Sequence, residues 1–165
     1  MVTIANIADF TLRPELGDYT NIVFIKTIII GLEEALGEKT TEIALTSSGR
    51  KQGKILAQEL DLVGKGVVLS VEEITQKIDQ ILGKQGTRLC IIDKIELGED
   101  VYKVYTQETF CSAGEPEGSS RKCTYTLGLI QGLLEALLNH RLRGQQTGSI
   151  LRGSTHDVLE YTIMT

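Results

Sequence analysis

Residues 123–138 read CTYTLGLIQGLLEALL, an almost unbroken apolar run in which Gly128, Gly132 and Ala136 recur at four-residue intervals. At 3.6 residues per turn that interval keeps all three on one face, so a helix here presents a smooth stripe to which another backbone can come close. The spacing predicts a helix over residues 122–139. The same pattern occurs twice upstream, as Gly49, Gly53 and Ala57 and as Thr27, Gly31 and Ala35. Each glycine inside a helix costs on the order of 1 kcal/mol relative to alanine, so a packing or functional gain is expected to offset it. Tight helix packing or a dimer seam would supply that gain, and so would grooves that admit an elongated apolar guest. The phrases GLEEAL at Gly31 and GLLEAL at Gly132 also repeat, a convergence two amphipathic helices reach without duplication.

Upstream of this run, Asp18 is expected to cap a helix over residues 19–36 that closes at Gly37. A second helix is expected over residues 48–60. The third has the clearest start, a capping box of Ser70 and Glu73 with Leu69 stapled against Ile74, and should end near Leu82 before Gly83. The pattern then changes to period 2, with Leu89, Ile91, Ile95 and Leu97 alternating with polar residues, and a Gly98-Glu99-Asp100 turn leads into VYKVYTQE. That is a β-hairpin. Downstream of the long helix, RLRGQQTGSIL and DVLEYTIM form a second hairpin around Gly153. The fold class is therefore α+β, helices packed on an antiparallel sheet in the order α-α-α-β-β-α-β-β. One domain is expected over residues 1–165, with 1–17 as an N-terminal arm.

A chain of 165 residues can bury roughly 70% of the surface its unfolded form exposes, and its 41% hydrophobic and 24% charged content is that of ordinary globular proteins. The net charge of −5 and the scattering of basic residues in small groups argue against nucleic acid. The first residues lack a signal-peptide pattern, and the best apolar run, IVFIKTIIIGL, is short and interrupted by Lys26. A cytoplasmic protein with no transmembrane segment is expected, membrane association being left open. Three cysteines do not make a secreted disulfide framework, and free thiols are expected.

Catalytic signatures are missing from the sequence: there is no G-x-G-x-x-G, Walker loop, G-x-S-x-G or H-E-x-x-H. His140 falls at a helix C-terminus and His156 in a turn, both positions that suit structural or solvated roles. Cys90, on a strand, reads as a small buried hydrophobe. Cys111 and Cys123 bracket a loop of Gly, Ser, Glu and Pro; they are not C-x-x-C and lack the partners of a four-ligand zinc site. Burial as small residues, a ligand-facing or modifiable thiol, and a disulfide or metal remain open for this pair. No enzymatic activity is expected.

SSGRKQGKILAQEL, followed about seventy residues later by CTYTLGLIQGLLEALL and a terminal hairpin with Gly153, resembles the four-vinyl-reductase, or hydrocarbon-binding, domain family, related in fold to the TRAPP subunits. The resemblance covers roughly Asp18 to the C-terminus. Aromatic-sensing members of that family carry a zinc site, and the resemblance lays its positions on Cys123, Gln146, Ser149 and Asp157. Since Gln, Ser and Asp do not replace thiolates in structural zinc, no metal is expected, and the hairpin should be held by hydrogen bonds and packing.

What the resemblance implies is a binding module for a hydrophobic small molecule, a tetrapyrrole, aromatic or acyl chain, acting as carrier or assembly factor. Its pocket would be lined by Tyr105, Phe110, Cys111, Cys123, Leu127, Gln131 and Leu134, with Gln131 as the one polar residue well inside the apolar helix. Were the ligand a bilin, Cys111 would offer a thioether attachment point. A homodimer is implied, and the alternative is a TRAPP-like dimeric scaffold or adaptor for a protein assembly partner. No cofactor is indicated beyond the hydrophobic ligand itself.

Overall fold

The computed structural model describes residues 13–164, so the first twelve residues of the expected N-terminal arm lie outside the described residues. Among those described are four α-helices, α1 Ile22–Leu36, α2 Glu38–Glu59, α3 Val71–Leu82 and α4 Thr124–Leu138, and four strands, β1 Ile91–Leu97, β2 Val101–Gln107, β3 Leu142–Gly148 and β4 Asp157–Ile163. The order is the expected one, and the strands form one antiparallel sheet in the spatial order β1-β2-β4-β3. The second hairpin docks on the first through β4, which sets Leu159 opposite Val104 and Tyr161 opposite Tyr102. Asp157, Leu159 and Tyr161 alternate along β4 and are fully buried. They share one core with Ile130, Leu133, Leu134 and Leu137 of α4.

The glycine stripes of α2 and α4 close on each other. A Cβ on Gly53 would lie 2.1 Å from the Leu129 carbonyl oxygen, and one on Gly128 or Gly132 would lie 2.0 or 2.1 Å from the carbonyl oxygens of Thr46 or Arg50. These are backbone atoms, which cannot swing aside. Of the two readings of these stripes, tight packing therefore holds for α2 and α4, leaving no groove between them for a guest. On α1 the outcome differs: nothing lies within 4 Å of a Cβ on Gly31, and Thr27 and Ala35 are exposed.

Three boundaries depart from the sequence reading. Helix α1 begins at Ile22, because Asn21, in extended geometry, accepts the Val23 N–H on its side chain, while Asp18 Oδ1 accepts the N–H of Arg13 instead. Helix α2 begins ten residues earlier than expected. Its polar first half lacks an apolar period, but Thr41 is 1% exposed and the helix is continuous into the face that meets α4. Strand β1 begins at Ile91, after Arg88 takes a positive φ of 55°. The Ser70/Glu73 capping box forms as read, with Ser70 Oγ accepting from Glu73 N and Glu73 Oε2 accepting from Ser70 N.

A buried carboxylate ties α2, α4 and β3 together. Glu135, 5% exposed, accepts from Arg50 Nε at 2.9 Å and Nη2 at 2.6 Å and from the Leu142 N–H at 3.0 Å, and pairs with Lys54 at 2.9 Å. Burial by itself would push the carboxyl up, but the Arg50 guanidinium, the Leu142 N–H, Lys54 and Gln131 outweigh it and hold the group at about 2.

Alanine at Gly53 or Gly132 should lower the unfolding free energy by about 1–3 kcal/mol, because the added methyl must push two backbones apart. Gly31→Ala, in open space, should instead raise it by about 0.5–1 kcal/mol; urea unfolding of the three variants measures both directions. The folded pKa of Glu135 is depressed, so its stabilisation is complete above the ordinary value of 4.5 and is lost as pH falls towards about 2. Glu135→Gln should flatten the fall in stability between those limits, as followed by urea unfolding at stepped pH. An unchanged acid limb would assign it to other carboxylates.

Candidate functional site

The end of β2, the loop 108–122, the N-terminus of α4 and the β3–β4 turn converge on Asp157, the first residue of β4. Its side chain is fully buried, and both carboxylate oxygens accept hydrogen bonds. Oδ2 accepts from Thr109 Oγ1 and Ser112 Oγ, each at 2.7 Å. Oδ1 accepts from the Ile150 N–H at 3.1 Å and Gln146 Nε2 at 3.3 Å. Gln146 Oε1 in turn accepts the Cys123 N–H at 2.9 Å, at the residue preceding α4. Ser149, also buried, caps a 3₁₀ turn over Ile150–Arg152 by accepting the Leu151 N–H, and Gly153 follows with φ +89°. The four positions onto which the resemblance lays a zinc site thus meet at one corner of the molecule.

That donor set does not suit zinc. One thiol, an amide, a hydroxyl and one carboxylate replace the thiolate-rich set, and both carboxylate oxygens already accept two hydrogen bonds each. Among the described residues no group of three His, Cys, Asp or Glu side chains is placed to hold a metal ion.

Beside this hub lie the two loop cysteines. Cys111 and Cys123 are free thiols, 4% and 1% exposed. Each meets a threonine: Cys111 Sγ lies 3.8 Å from Thr126 Oγ1, and Cys123 Sγ 3.7 Å from Thr109 Oγ1. The neighbouring Cys123 draws the Cys111 thiol below its ordinary value, and Cys111 together with burial pushes Cys123 well up. Cys90 is buried, as expected of a small hydrophobe, and burial pushes its thiol up too.

Three cavities open around the corner. One of about 300 Å³ is lined by Cys123, Leu127, Gly144, Gln146, Lys122 and Arg152 among others. A second, about 200 Å³, is a polar cleft bordered by Glu33, Glu38, Glu42, Ser119, Arg121 and Lys122. The third holds only about 20 Å³ and touches Cys111, Phe110, Ile29, Lys26, Arg121 and Thr124.

Of the seven residues expected to line a pocket, the structure gathers Phe110, Cys111, Cys123 and Leu127 at this corner. Phe110 packs edge-on to Tyr125 with ring centroids 6.2 Å apart. Tyr105 is not with them. It projects from the other face of β2, donates to Glu96 Oε2 at 2.7 Å and lies beneath Lys94 Nζ, 4.3 Å from the ring centroid. Leu134 is wholly buried in the core. Gln131 is buried as expected, but its amide donates to the Leu142 carbonyl at 2.7 Å and to Glu135 Oε1 at 3.2 Å, which commits it to the α4–β3 joint. Thr109, Ser112, Lys122 and Arg152 join the site without having been singled out by the sequence.

No family model and no curated protein matches this sequence. Solved structures do. The phenol-responsive sensory domain of the transcription activator PoxR, with phenol, aligns at TM-score 0.60 and 12% identity over 87% of this chain and 74% of that one. A trafficking protein particle complex subunit 3 from Naegleria fowleri, covalently bound to palmitic acid, aligns at TM-score 0.62 and 13% identity over 87% and 93%. A vinyl-4-reductase family protein from Methanocaldococcus jannaschii aligns at TM-score 0.52 and 14% identity over 92% and 86%. Likeness at such identities concerns the fold, and on that ground the chain has the TRAPP-like fold that these three proteins share.

Proposed function

We propose that the chain is a non-catalytic binding module for a small apolar or amphipathic molecule, acting as a carrier or assembly factor. The observation that carries this reading is the cavity of about 300 Å³ beside Cys123. Leu127 and Cys123 line it together with the amides of Gln145 and Gln146 and the charged Lys122, Arg152 and Glu42. Its volume is at the lower end of ordinary ligand pockets, which suits an aromatic ring or a single acyl chain better than a tetrapyrrole. A carboxylate or phenolate head would find Lys122, which is 58% exposed and bound only to Glu42, at 3.2 Å. Such a surface pair costs little to exchange. Neighbours in fold that carry phenol and palmitic acid support a ligand of this kind.

The second reading, a dimeric scaffold, is favoured by α1. Two of its three charged side chains turn inward: Lys26 pairs with Glu115 at 2.6 Å, and Glu33 pairs with Arg121, while Glu34 is exposed. Its apolar ones turn outward, with Phe24 and Ile28 more than 60% exposed and Val23, Ile30 and Leu36 also on the surface. That is the reverse of a helix at the surface of a monomer. No helix among the described residues is long and apolar enough to cross a membrane. A second copy meeting α1 through the open Thr27, Gly31 and Ala35 stripe accounts for the inversion and makes the carrier a homodimer.

Native mass spectrometry of protein purified from its own host, with an absorption spectrum and a zinc assay, should show a dimer carrying one apolar adduct per chain and no zinc. Palmitate and phenol titrations by calorimetry should then show at least one of them binding, weakened more than tenfold by Leu127→Arg, which fills the cavity. A clean apo dimer that binds neither probe would leave the scaffold reading alone, and bound zinc would overturn the assignment of the Asp157 corner.

A further inference from the structure

The cavity of about 300 Å³ beside Cys123 and the polar cleft of about 200 Å³ adjoin, since Glu42, Lys122 and Thr124 line both. Lys122 Nζ stands 3.2 Å from each Glu42 carboxylate oxygen, with side chains 58% and 42% exposed, so the boundary between the two spaces is an ion pair that separates at little cost. On either side of that pair is a charge of opposite sign that takes part in no ion pair among the described residues. In the larger cavity it is Arg152, whose Nη1 donates to the carbonyl oxygens of Ser119 and Arg121. In the cleft it is Glu38, the first residue of α2, one helical turn before Glu42 and on the same face. The other two charges of the cleft, Glu33 and Arg121, pair with each other.

Charge balance decides what such a site takes. A ligand with a carboxylate alone would satisfy Lys122 and Arg152 but leave Glu42 beside Glu38, two like charges one turn apart; an amine alone would leave the two cations unpaired. A ligand that carries both charges compensates both halves of the parted pair. We propose that the two cavities form one site for a small amphipathic zwitterion of the α-amino-acid type with an apolar side group. Its carboxylate faces Lys122 and Arg152, its ammonium faces Glu42 and Glu38, and its side group lies beside Leu127 and Cys123 in the larger cavity. Covalent geometry sets the two charged groups of an α-amino acid about 3 Å apart, so one molecule reaches both partners. The inference rests on the larger cavity being a ligand pocket and adds the head group that the pocket selects.

The full chain, labelled with nitrogen-15, is titrated by NMR with L-phenylalanine, 3-phenylpropionate and 2-phenylethylamine, which share a ring and differ in the charges they carry. Phenylalanine should bind about fivefold or more tightly than either of the others and move the amide signals of Glu42, Lys122 and Arg152. Glu42→Gln should bring phenylalanine down to the affinity of 3-phenylpropionate and tighten 3-phenylpropionate itself, because Lys122 no longer has a partner in the chain. The pair is exposed, and the unmoved remainder of the spectrum shows that the variant folds. Equal affinity for all three probes, 3-phenylpropionate binding as tightly as phenylalanine, signals that move only elsewhere, or indifference of phenylalanine to Glu42→Gln would each overturn the proposal. Palmitate or phenol binding while phenylalanine does not would overturn the zwitterion and leave the pocket standing, whereas failure of all three would remove the pocket as well.

Discussion

A Cβ atom on Gly53 would stand 2.1 Å from a carbonyl oxygen of α4, and one on Gly132 the same distance from a carbonyl oxygen of α2. The two helices therefore touch backbone to backbone, and neither can rotate or slide without driving a side chain into that contact. Once α2 is seated, Arg50 and Lys54 stand over the buried carboxylate of Glu135, one turn beyond Gly132 on α4. Glu135 also accepts the first N–H of β3, so the helix contact sets where the second hairpin starts. Glycine packing and a buried ion pair thus act in series, one fixing the distance between helices and the other the approach of the sheet.

The far end of α4 is fixed by a different means. Asp157 accepts four hydrogen bonds from three chain segments, and Gln146 bridges it to the residue where α4 begins. A fully buried carboxylate left without those donors would be costly, so the loop, the hairpin turn and the helix start are ordered together or not at all. The arrangement does with hydrogen bonds what the resemblance implies a zinc ion does at the same positions. It also fixes both loop cysteines: Thr109 and Ser112 anchor the loop that carries one, and Gln146 anchors the backbone of the other.

Legibility in the sequence followed the range of the interaction. The Ser70/Glu73 capping box is a contact over three residues, and the glycine stripes are a property of single helices; both could be read directly. Asp18 and Asn21 are equally good caps on paper, and the choice fell to Asn21 because the Asp18 carboxylate takes the Arg13 N–H. Residues 38–47 show no apolar period because that half of α2 owes its helix to continuity with the packed half. Gln131 looked like a ligand-orienting group, since nothing local betrays a partner eleven residues away in Leu142. Tyr105 lies next to the buried Val104 and Thr106, and strand alternation alone sends it to the opposite face. The four family positions could be aligned, whereas the Thr109 and Ser112 bonds to Asp157 span more than forty residues.

The same distance dependence governs α1, which is attached by ion pairs to the loop and by Ile29 packed against the core. Lys26 and Glu33 reach across to Glu115 and Arg121 of the loop that carries Cys111, and Lys26 also donates to the Ala113 carbonyl. Partly exposed ion pairs of this kind hold orientation more than they add stability. The apolar face they leave outward, with Phe24 and Ile28 more than 60% exposed, is a large patch for a single surface helix. The small cavity beside Cys111 and the polar cleft beside Arg121 are lined by ion-paired side chains, Lys26 and Arg121 in the one and Glu33 and Arg121 in the other. The same two ion pairs therefore orient α1 and shape these two openings.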